Sequence, residues 1–492
     1  MSGVGSGVKR DVLVIGAGFG GLGAALALAE RGARVTVCEA LTYPGGCAST
    51  FTRKGVRYEA GATLFSGLGP GQLFSDWITR FELPVTVDWI DPVVETRAPG
   101  LSLPVDRDRA AFVDRLCALP GAPVAPLRRF FAEQSAHADT LWELFDQPAL
   151  LPPLSFGSLM THMSRIPRYA PLLPLLLRPL SSLAGRHGLG EFEPFQTWLR
   201  GVCQITVQCP PDEAESAFAV AAMDYCWRGT GHIRGGIGRL AEGLVTAIGR
   251  SGGEVRLANR VSALRQDGRS WVAETREGPL VADAVVANVL PGDLARLLGG
   301  HKALEARQKP VADGWGAVML YRVVREGDGP AHHLDLTLDR RAPPVDGNHV
   351  FVSVASTEDD RGVLPGHRVL TASTHVSLAQ LRGAGPEGDP ASTVARIQQH
   401  MRDTIGVLAP EVNDVVSELT ASPRTFQRFV RRTEGAVGGV PRRTGLAAWS
   451  QLGPVTPERG LWLVGDSVFP GQSTYAAALG GVRVAEAIFR DS

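Results

Sequence analysis

The apolar positions at the start of the chain form two short continuous runs that flank a longer helical pattern. Residues 12–15 and 35–38 are mostly apolar, and residues 22–29 between them are all leucine, alanine or glycine. Continuous apolar runs of this length are typical of strands buried on both faces, as in a parallel sheet covered by helices. We therefore predict a strand, a helix and a second parallel strand within the first 40 residues.

Glycines fill the turn between the first strand and the helix, and an acid closes the second strand. Gly16 permits a tight turn, Gly18 lets backbone amides approach a pyrophosphate at the helix N-terminus, and Gly21 lets the helix pack closely on the strand. Glu39 follows Gly21 by 18 residues, where its carboxylate can bind ribose hydroxyls and would repel a 2′-phosphate. The spacing predicts an adenine dinucleotide site with a free ribose, formed by Gly16, Gly18, Gly20, Gly21 and Glu39.

Later segments supply further glycines and strands of the same kind. The adjacent glycines after the acid, and another glycine some 15 residues on, suggest a second and a third close approach of the backbone. Residues 235–238 open a second helical pattern, and residues 254–261 and 284–288 are expected to be strands, like the second half of a dinucleotide domain. We add Gly45, Gly46, Gly61 and Val261 to the predicted cofactor-binding residues.

The middle of the chain is helical and then unusually apolar and basic. Residues 108–119 and 127–145 carry apolar positions at helical spacing, whereas residues 147–190 hold many Leu and Pro residues, four arginines and no Asp or Glu. Such a segment can lie in a lipid headgroup region with its arginines reaching phosphates, or it can be a helical cap whose leucines form a core. Both alternatives are compatible with the pattern. Between residues 301 and 439, alternating strands at 315–324, 349–355 and 368–375 and a helix at 391–408 predict a separate α+β domain.

A third signal lies near the C-terminus, where residues 460–464 form a strand that ends in Gly465 and Asp466. A carboxylate at a strand end, close to the start of a following helix, could bind the ribityl chain of a flavin. Together with the N-terminal glycine turn this favours FAD over NAD, because an extended flavin dinucleotide needs binding groups from both ends of the chain. Gly465, Asp466 and Gln472 therefore complete the predicted cofactor-binding set.

Composition narrows the classes of partner. The chain has 492 residues, 44% of them hydrophobic, which is enough for two or three domains. Basic and acidic residues number 50 each, so no overall field attracts nucleic acid. The six cysteines are scattered without a metal or disulfide pattern, which fits a reducing cytoplasm and predicts no metal. No apolar run reaches the roughly 20 residues that span a bilayer, and residues 1–10 lack a signal-peptide core, so we expect neither a membrane span nor export.

These motifs resemble the phytoene desaturase, carotenoid cis-trans isomerase and retinol saturase family, within the amine oxidase-like flavoproteins. The resemblance extends over nearly the whole chain and rests on residues 14–21, Glu39, and the motifs at 44–46, 61, 235–238, 438–441 and 465–472. Its most specific part is Phe-Pro-Gly-Gln at residues 469–472. The chain departs from the family pattern at Ser473-Thr474-Tyr475, where the family usually has a small glycine-containing turn. Tyr475 could therefore alter the surface that faces the substrate near the flavin ring.

The resemblance implies an FAD-dependent oxidoreductase that acts on a long apolar polyene, most simply by carotenoid desaturation with hydride transfer to flavin N5. Carotenoid isomerisation or retinol saturation with reduced FAD are alternatives within the family. An amine oxidase-like flavoenzyme is another, for which only Lys309 could be the lysine often found near flavin N5. A non-catalytic prenyl-lipid carrier is a fourth, which the intact glycine and acid motifs disfavour.

No catalytic residue is predicted, because the protein's task in flavin chemistry is to aim a substrate carbon at the cofactor and exclude water. The histidines, among them His349 and His375, have no partner legible in the sequence and are expected to be surface or capping residues. Glu213 and Glu215 could act near a cation formed on a polyene. Acidic residues in such a position more often stand at the start of a helix, where they interact with its dipole.

The predicted architecture is α/β, with a Rossmann-type FAD-binding domain (residues 1–75, 231–300 and 440–492) interleaved with an α+β substrate domain (301–439) and a helical cap (76–230). We expect the protein to be cytoplasmic and peripheral on the inner face of the cell membrane. The polyene is expected to enter from the bilayer through the apolar stretch at residues 172–183 of the cap.

Overall fold

The computed structural model describes residues 10–327, 333–383, 390–453 and 455–490, so residues 1–9 of the predicted cofactor domain lie outside the described part. Within these ranges the strands, in chain order, are β1 (Asp11–Ile15), β2 (Arg34–Cys38), β3 (Thr50–Arg53), β4 (Val56–Glu59), β5 (Val87–Asp88), β6 (Val94–Ala98), β7 (Leu101–Val105), β8 (His232–Ile233), β9 (Glu254–Arg256), β10 (Val261–Asp267), β11 (Ser270–Thr275), β12 (Gly278–Ala282), β13 (Ala284–Ala287), β14 (Trp315–Arg325), β15 (His333–Thr337), β16 (His349–Val354), β17 (His367–Ser377), β18 (Val415–Ala421), β19 (Ala436–Val437), β20 (Val455–Glu458) and β21 (Leu461–Leu463).

The α-helices of the same ranges are α1 (Phe19–Glu30), α2 (Leu73–Arg80), α3 (Arg109–Cys117), α4 (Val124–Asp146), α5 (Phe156–Ser164), α6 (Ile166–Tyr169), α7 (Leu180–Arg186), α8 (Glu193–Thr206), α9 (Ser216–Ala222), α10 (Gly238–Arg250), α11 (Pro291–Leu297), α12 (Lys302–Ala312), α13 (Leu378–Gly383), α14 (Pro390–Leu408), α15 (Pro423–Phe429), α16 (Leu446–Trp449) and α17 (Thr474–Arg490).

A six-stranded sheet in the order β20-β21-β13-β1-β2-β9 carries the glycine turn. Its strands pair in parallel except β20, which is antiparallel to β21. The C-terminal helix α17 packs on α1 so closely that a Cβ at Gly23 would lie 2.6 Å from the Ala478 carbonyl oxygen. Both ends of the chain therefore meet in one Rossmann-type layer, and the predicted α/β class is confirmed.

The second large sheet follows the order β18-β14-β17-β16-β15-β6-β7, with β19 paired to β14. The predicted strands at 315–324, 349–355 and 368–375 are confirmed as β14, β16 and β17. Strands β6 and β7, however, lie within residues 76–230, so the expectation that this range is helical is wrong for residues 94–105. Pro99 and Gly100 form the tight turn of this hairpin, a signal that the sequence contained.

The cap is formed mainly by α3, α4, α7, α8 and α9 around aromatic side chains. Phe112, Phe130, Phe195 and Trp198 are all nearly inaccessible to solvent, and Phe130 and Phe195 meet edge to face at 4.9 Å between ring centroids. Such pairs add specific geometry to the burial of large apolar surfaces. The cap therefore has its own core, separate from the core of the cofactor sheet.

A buried ionic cluster joins strands β4 and β8 to the loop after β16. The Arg361 guanidinium donates to Asp359 at 2.8 Å and lies 3.4 Å from a Glu59 carboxylate oxygen. His232 lies 2.9 Å from Asp359. Burial alone would raise the pKa of Asp359, but the hydrogen bond with His232 and the charge of Arg361 bring it down to about 2. The cluster ties the cofactor layer to the large sheet.

Candidate active site

One cavity of about 1400 Å³ lies among the cofactor sheet, the large sheet and the cap. Every residue predicted to bind the cofactor lines it except Gly21, where a Cβ would lie 2.1 Å from the Gly16 carbonyl oxygen. Gly21 thus acts through helix packing, as its position in the motif suggested. The lining residues from the predicted set are Gly16, Gly18, Gly20, Glu39, Gly45, Gly46, Gly61, Val261, Gly465, Asp466 and Gln472. Their roles in binding stay predictions.

The β1–α1 turn presents bare backbone to the cavity. Gly16 has φ +95°, a conformation that favours glycine. Gly18 is the residue before α1 and caps it with no side chain, so the first N–H groups of the helix have no side-chain acceptor. Unpaired N–H groups at a helix N-terminus bind anions, which fits the pyrophosphate of a dinucleotide.

Asn288, directly after β13, sits against this turn. A Cβ at Gly18 would lie 2.5 Å from its Nδ2 atom, and one at Gly20 would lie 2.7 Å from its Oδ1 atom. Gly465 also approaches, since its N atom is 3.1 Å from a Cβ built at Gly20. Asn288 is the last residue of the predicted strand at 284–288, and no role for it is predicted from the sequence. The only available signal was that parallel strands end at one edge of the sheet.

The Glu39 carboxylate is buried beside the turn and oriented by the backbone. Its Oε2 atom accepts a hydrogen bond from Ala17 N at 2.7 Å and its Oε1 atom accepts one from Leu41 N at 2.8 Å. Burial raises the pKa of Glu39, and these N–H donors oppose the rise. Each oxygen keeps a further lone pair, so the carboxylate can still accept from ribose hydroxyls.

The adjacent glycines at 45 and 46 lie against the first turn. Gly45 has φ +108°, donates its N–H to the Ala17 carbonyl at 2.8 Å and forms a bridge with Gly18. A Cβ at Gly61 would lie 2.8 Å from the Cys47 carbonyl oxygen. The three glycine segments therefore form one continuous backbone cradle, in which a Cβ at Gly45 or Gly61 would collide with the backbone of residues 47–49.

At the C-terminal motif, Asp466 is held by an arginine that the sequence analysis did not identify. Arg432 donates from Nη2 to the Asp466 carboxylate at 2.7 Å, and both residues line the cavity. Burial would lower the pKa of Arg432, but Asp466, together with Cys47 and Asp293, outweighs burial and the pKa is raised. Arg432 comes from the loop after α15, 34 residues earlier, so no local pattern linked the two.

Beyond the cofactor cradle the same cavity continues between the cap and the large sheet. Tyr475 closes this part from the cofactor side, stacked on Trp142 at 6.0 Å and edge-on to Phe74 at 5.8 Å. The other walls are mostly apolar, and they include Leu141, Phe145, Leu150, Leu151, Leu154, Ala217, Phe218, Ala221, Ala317, Met319, Phe351, Trp449 and Leu452. A long apolar molecule can be bound here away from water.

Two histidines of the large sheet contribute polar groups to this wall, so the expectation that they are surface or capping residues is wrong. His349 pairs with the buried Asp335 carboxylate through Nε2. Burial and the neighbouring His349 lower the pKa of His375 to about 4, which keeps its imidazole neutral at pH 7. Both line the cavity because β16 and β17 are adjacent strands of the sheet.

The charged residues considered for catalysis lie elsewhere. Lys54, Lys302 and Lys309, the lysines of the described ranges, are exposed and do not line the cavity. Glu213 pairs with Arg443 at the surface. Glu215 precedes α9, where its carboxylate accepts from Leu177 N at 2.7 Å. Neither acid lines the cavity, so neither reaches a molecule bound there.

The prediction that the substrate enters the protein at residues 172–183 is wrong. Leu172, Leu175, Leu180 and Leu183 are buried in the cap core, and no residue of this fully described stretch lines the cavity. The cavity instead reaches Leu150, Leu151, Pro152, Leu154 and His162. Across the described ranges, no helix combines the length and apolar character needed to cross a bilayer.

Known proteins share both the sequence pattern and the fold. A family model described as flavin containing amine oxidoreductase matches residues 19–489. The chain is 25% identical to prolycopene isomerase 1, chloroplastic, from an Oncidium hybrid cultivar, over 98% of this chain and 84% of that protein. It is 27% identical to hydroxyneurosporene desaturase from Cereibacter sphaeroides, over 98% of each. The solved structure of wild-type putrescine oxidase bound to putrescine has a TM-score of 0.63 at 16% identity, over 98% of this chain and 99% of that chain.

Proposed function

Because this chain belongs to the family of flavin-containing amine oxidoreductases, we propose that it is an FAD-dependent oxidoreductase that desaturates a long apolar polyene of carotenoid type. The cofactor is FAD and the chain is an oxidoreductase related to carotenoid desaturases and isomerases. The polyene substrate and the direction of the reaction are the proposed part. Isomerisation or saturation of the same class of substrate are the alternatives.

The continuity of the cavity is the observation that carries the proposal. The glycine cradle and Asp466 form one end, and an apolar passage between cap and sheet forms the other. Apolar walls bind a hydrocarbon by removing its surface from water, at about 25 cal/mol per Å². The two relatives named above act, by their names, on prolycopene and hydroxyneurosporene.

The division of labour within the site follows from its residues. When bound, FAD supplies an acceptor for a hydride from a saturated substrate carbon. Glu39 orients the adenosine end, Asp466 with Arg432 holds the middle of the cofactor, and the aromatic pair Tyr475 and Trp142 closes the cavity wall. Desaturation removes a hydride from one substrate carbon and a proton from its neighbour, and the cap keeps water from adding to the carbon left electron-deficient between these losses.

Amine oxidation is less well supported by the site. A lysine near the reacting flavin atom is frequent in amine oxidases, and none of the described lysines lines the cavity. A cationic amine would also meet Arg442, a buried positive charge in the wall. We therefore expect the protein to release no hydrogen peroxide when it is incubated with a panel of primary amines and polyamines.

Expression in bacteria that accumulate a defined carotenoid tests the reaction directly. We expect the product to be lighter by two hydrogens for each new double bond, with absorption shifted to longer wavelength. A spectral shift without a change in mass would replace desaturation by isomerisation, and a gain of two hydrogens would replace it by saturation. An unchanged carotenoid pool together with amine-dependent peroxide release would contradict the polyene assignment altogether.

We also propose peripheral attachment to the inner face of the cell membrane, through the segment that closes the cavity. Phe156 is 79% exposed, and Met160, Met163 and Ile166 are each more than half exposed. Leu154 and His162 of the same segment line the cavity. The surrounding residues 147–190 include no acid. Two of their four arginines, Arg168 and Arg186, pair with Glu143 and Glu133 of α4, which leaves Arg165 and Arg178 to contact anionic headgroups. A polyene dissolved in the bilayer would enter beside α5.

Replacing Met160 and Met163 together by aspartate is expected to release the protein from anionic liposomes. Two carboxylates in an interfacial helix cost several kcal/mol by membrane-insertion scales, so the bound fraction in a flotation assay should fall at least about tenfold. The matched control is Leu364→Asp, since Leu364 is 76% exposed in the loop after β16. Equal loss in both variants, or no loss in the double variant, would contradict attachment through α5.

A further inference from the structure

Arg442 lies between the cofactor segment and the cap. Its Nη2 atom is 3.3 Å from the Pro470 carbonyl oxygen, and its guanidinium stacks over the Phe218 ring of α9 at 5.1 Å. Arg442 is 5% exposed and lines the cavity, as does Phe218. A positive charge is therefore held at the junction of the cofactor cradle and the apolar passage.

This charge has no partner of opposite sign within the described ranges. Its Nη1 atom is buried without a hydrogen-bond acceptor, and no carboxylate of those residues forms an ion pair with it. Burial lowers the pKa of Arg442 to about 10, and no acidic group opposes the shift. The other buried arginines described above, Arg361 and Arg432, each contact a carboxylate.

A buried guanidinium without an anion is unfavourable unless a ligand supplies the missing acceptor. The cofactor's phosphates are not that ligand, because their cradle is formed by the Gly16 to Gly20 turn. The guanidinium of Arg442 instead contacts the Phe218 ring and the backbone of Pro470 and Gly471. Phe218 belongs to the apolar passage, where the substrate is proposed to lie.

We propose that Arg442 binds a carboxylate of the substrate, so that the enzyme acts on a polyene that carries an acid at one end. This inference rests on the proposed polyene function and narrows its substrate class. A guanidinium presents planar paired N–H donors that match a carboxylate. Contact with the Phe218 ring holds the guanidinium beside the apolar passage, which takes the hydrocarbon chain. The bound carboxylate thereby fixes the position of the hydrocarbon along the cavity.

The test measures binding to the FAD-loaded, oxidised protein, using all-trans-retinoic acid and its methyl ester as probes and quenching of tryptophan fluorescence as the signal. We expect the acid to bind more tightly than the ester. Arg442→Gln should lower the affinity for the acid by about tenfold to a hundredfold, since charged hydrogen bonds contribute on that scale. The affinity for the ester should change by no more than about twofold. Arg442→Lys, which keeps the charge, should retain part of the preference.

Arg443→Gln is the matched control. The neighbouring Arg443 donates to Glu213 at 2.8 Å at the surface and does not line the cavity, so its removal should leave both affinities unchanged. The folding of each variant is checked by its melting temperature and by its FAD content, which Arg442→Gln should not reduce.

Equal weakening of acid and ester by Arg442→Gln would overturn the inference, as would unchanged acid affinity. Unchanged acid affinity with a lowered midpoint potential of the bound flavin would assign the charge to the reduced cofactor instead. If both probes bound tightly and equally well, the proposed carboxylate site at Arg442 would be overturned, whereas the proposed polyene function would stand. Failure of the wild-type protein to bind either probe would overturn both proposals.

Discussion

Replacing Gly16 by alanine is expected to yield a protein that is purified without flavin. Gly16 has φ +95°, and an alanine Cβ there would lie 2.8 Å from the Asn288 carbonyl oxygen. The strained backbone costs about 1–3 kcal/mol, and the carbonyl belongs to the backbone after β13, which cannot rotate away. Because the turn holds the first N–H groups of α1 in position, we expect FAD affinity to fall at least about a hundredfold. The measurement is the visible absorbance of the purified protein and its titration with FAD.

Gly249→Ala is the control for this substitution. Gly249 lies in α10, has nothing within 4 Å of a built Cβ and has no positive φ, so alanine there should keep the flavin and leave stability equal or slightly higher. If Gly16→Ala bound FAD as the wild type does, the turn could not be the phosphate cradle, and the cofactor would have to lie elsewhere in the cavity.

Replacing Arg361 by methionine is expected to lower the free energy of unfolding by about 3–5 kcal/mol, because the loss of one partner leaves buried charges unpaired. Arg361 is 2% exposed and contacts both Asp359 and Glu59. These acids lie on opposite sides of the junction between the cofactor layer and the large sheet. Such a loss is a large part of the total stability of a protein. Urea denaturation of the FAD-loaded protein measures it.

Arg128→Met provides the comparison at the surface. Arg128 pairs with Asp114 at 2.7 Å, and both side chains are more than half exposed, so the free energy of unfolding should change by no more than about 0.5 kcal/mol. Similar losses in both variants would mean that the Arg361 cluster is not a structural junction. Retained stability with reduced FAD content would instead place its role in the cofactor site.

The cofactor cradle was predictable because its signals are local. The turn at Gly16 and the acid at Glu39 each lie beside a strand that its own apolar run reveals, and Gly45 and Gly46 stand out as an adjacent pair soon after the acid. The hairpin of β6 and β7 was missed because neither strand, unlike β1, forms a continuous apolar run, although the Pro99–Gly100 turn marked it. The access route at residues 172–183 was misplaced because leucines of a cap core and leucines of a lipid-facing surface have the same composition.

The sequence by itself determined the glycine turn, the acid that follows it, the Gly-Asp strand end and hence the α/β class and the flavin. These depend on backbone conformation and on spacing along the chain, which residue types reveal directly. Only the tertiary structure decided that Asn288 lies against the turn, that Arg432 neutralises Asp466, that His349 and His375 face the cavity and that Arg442 is buried without an anion. Each of these depends on which distant segments pack together, and packing between segments far apart in the chain leaves no periodic trace in either of them.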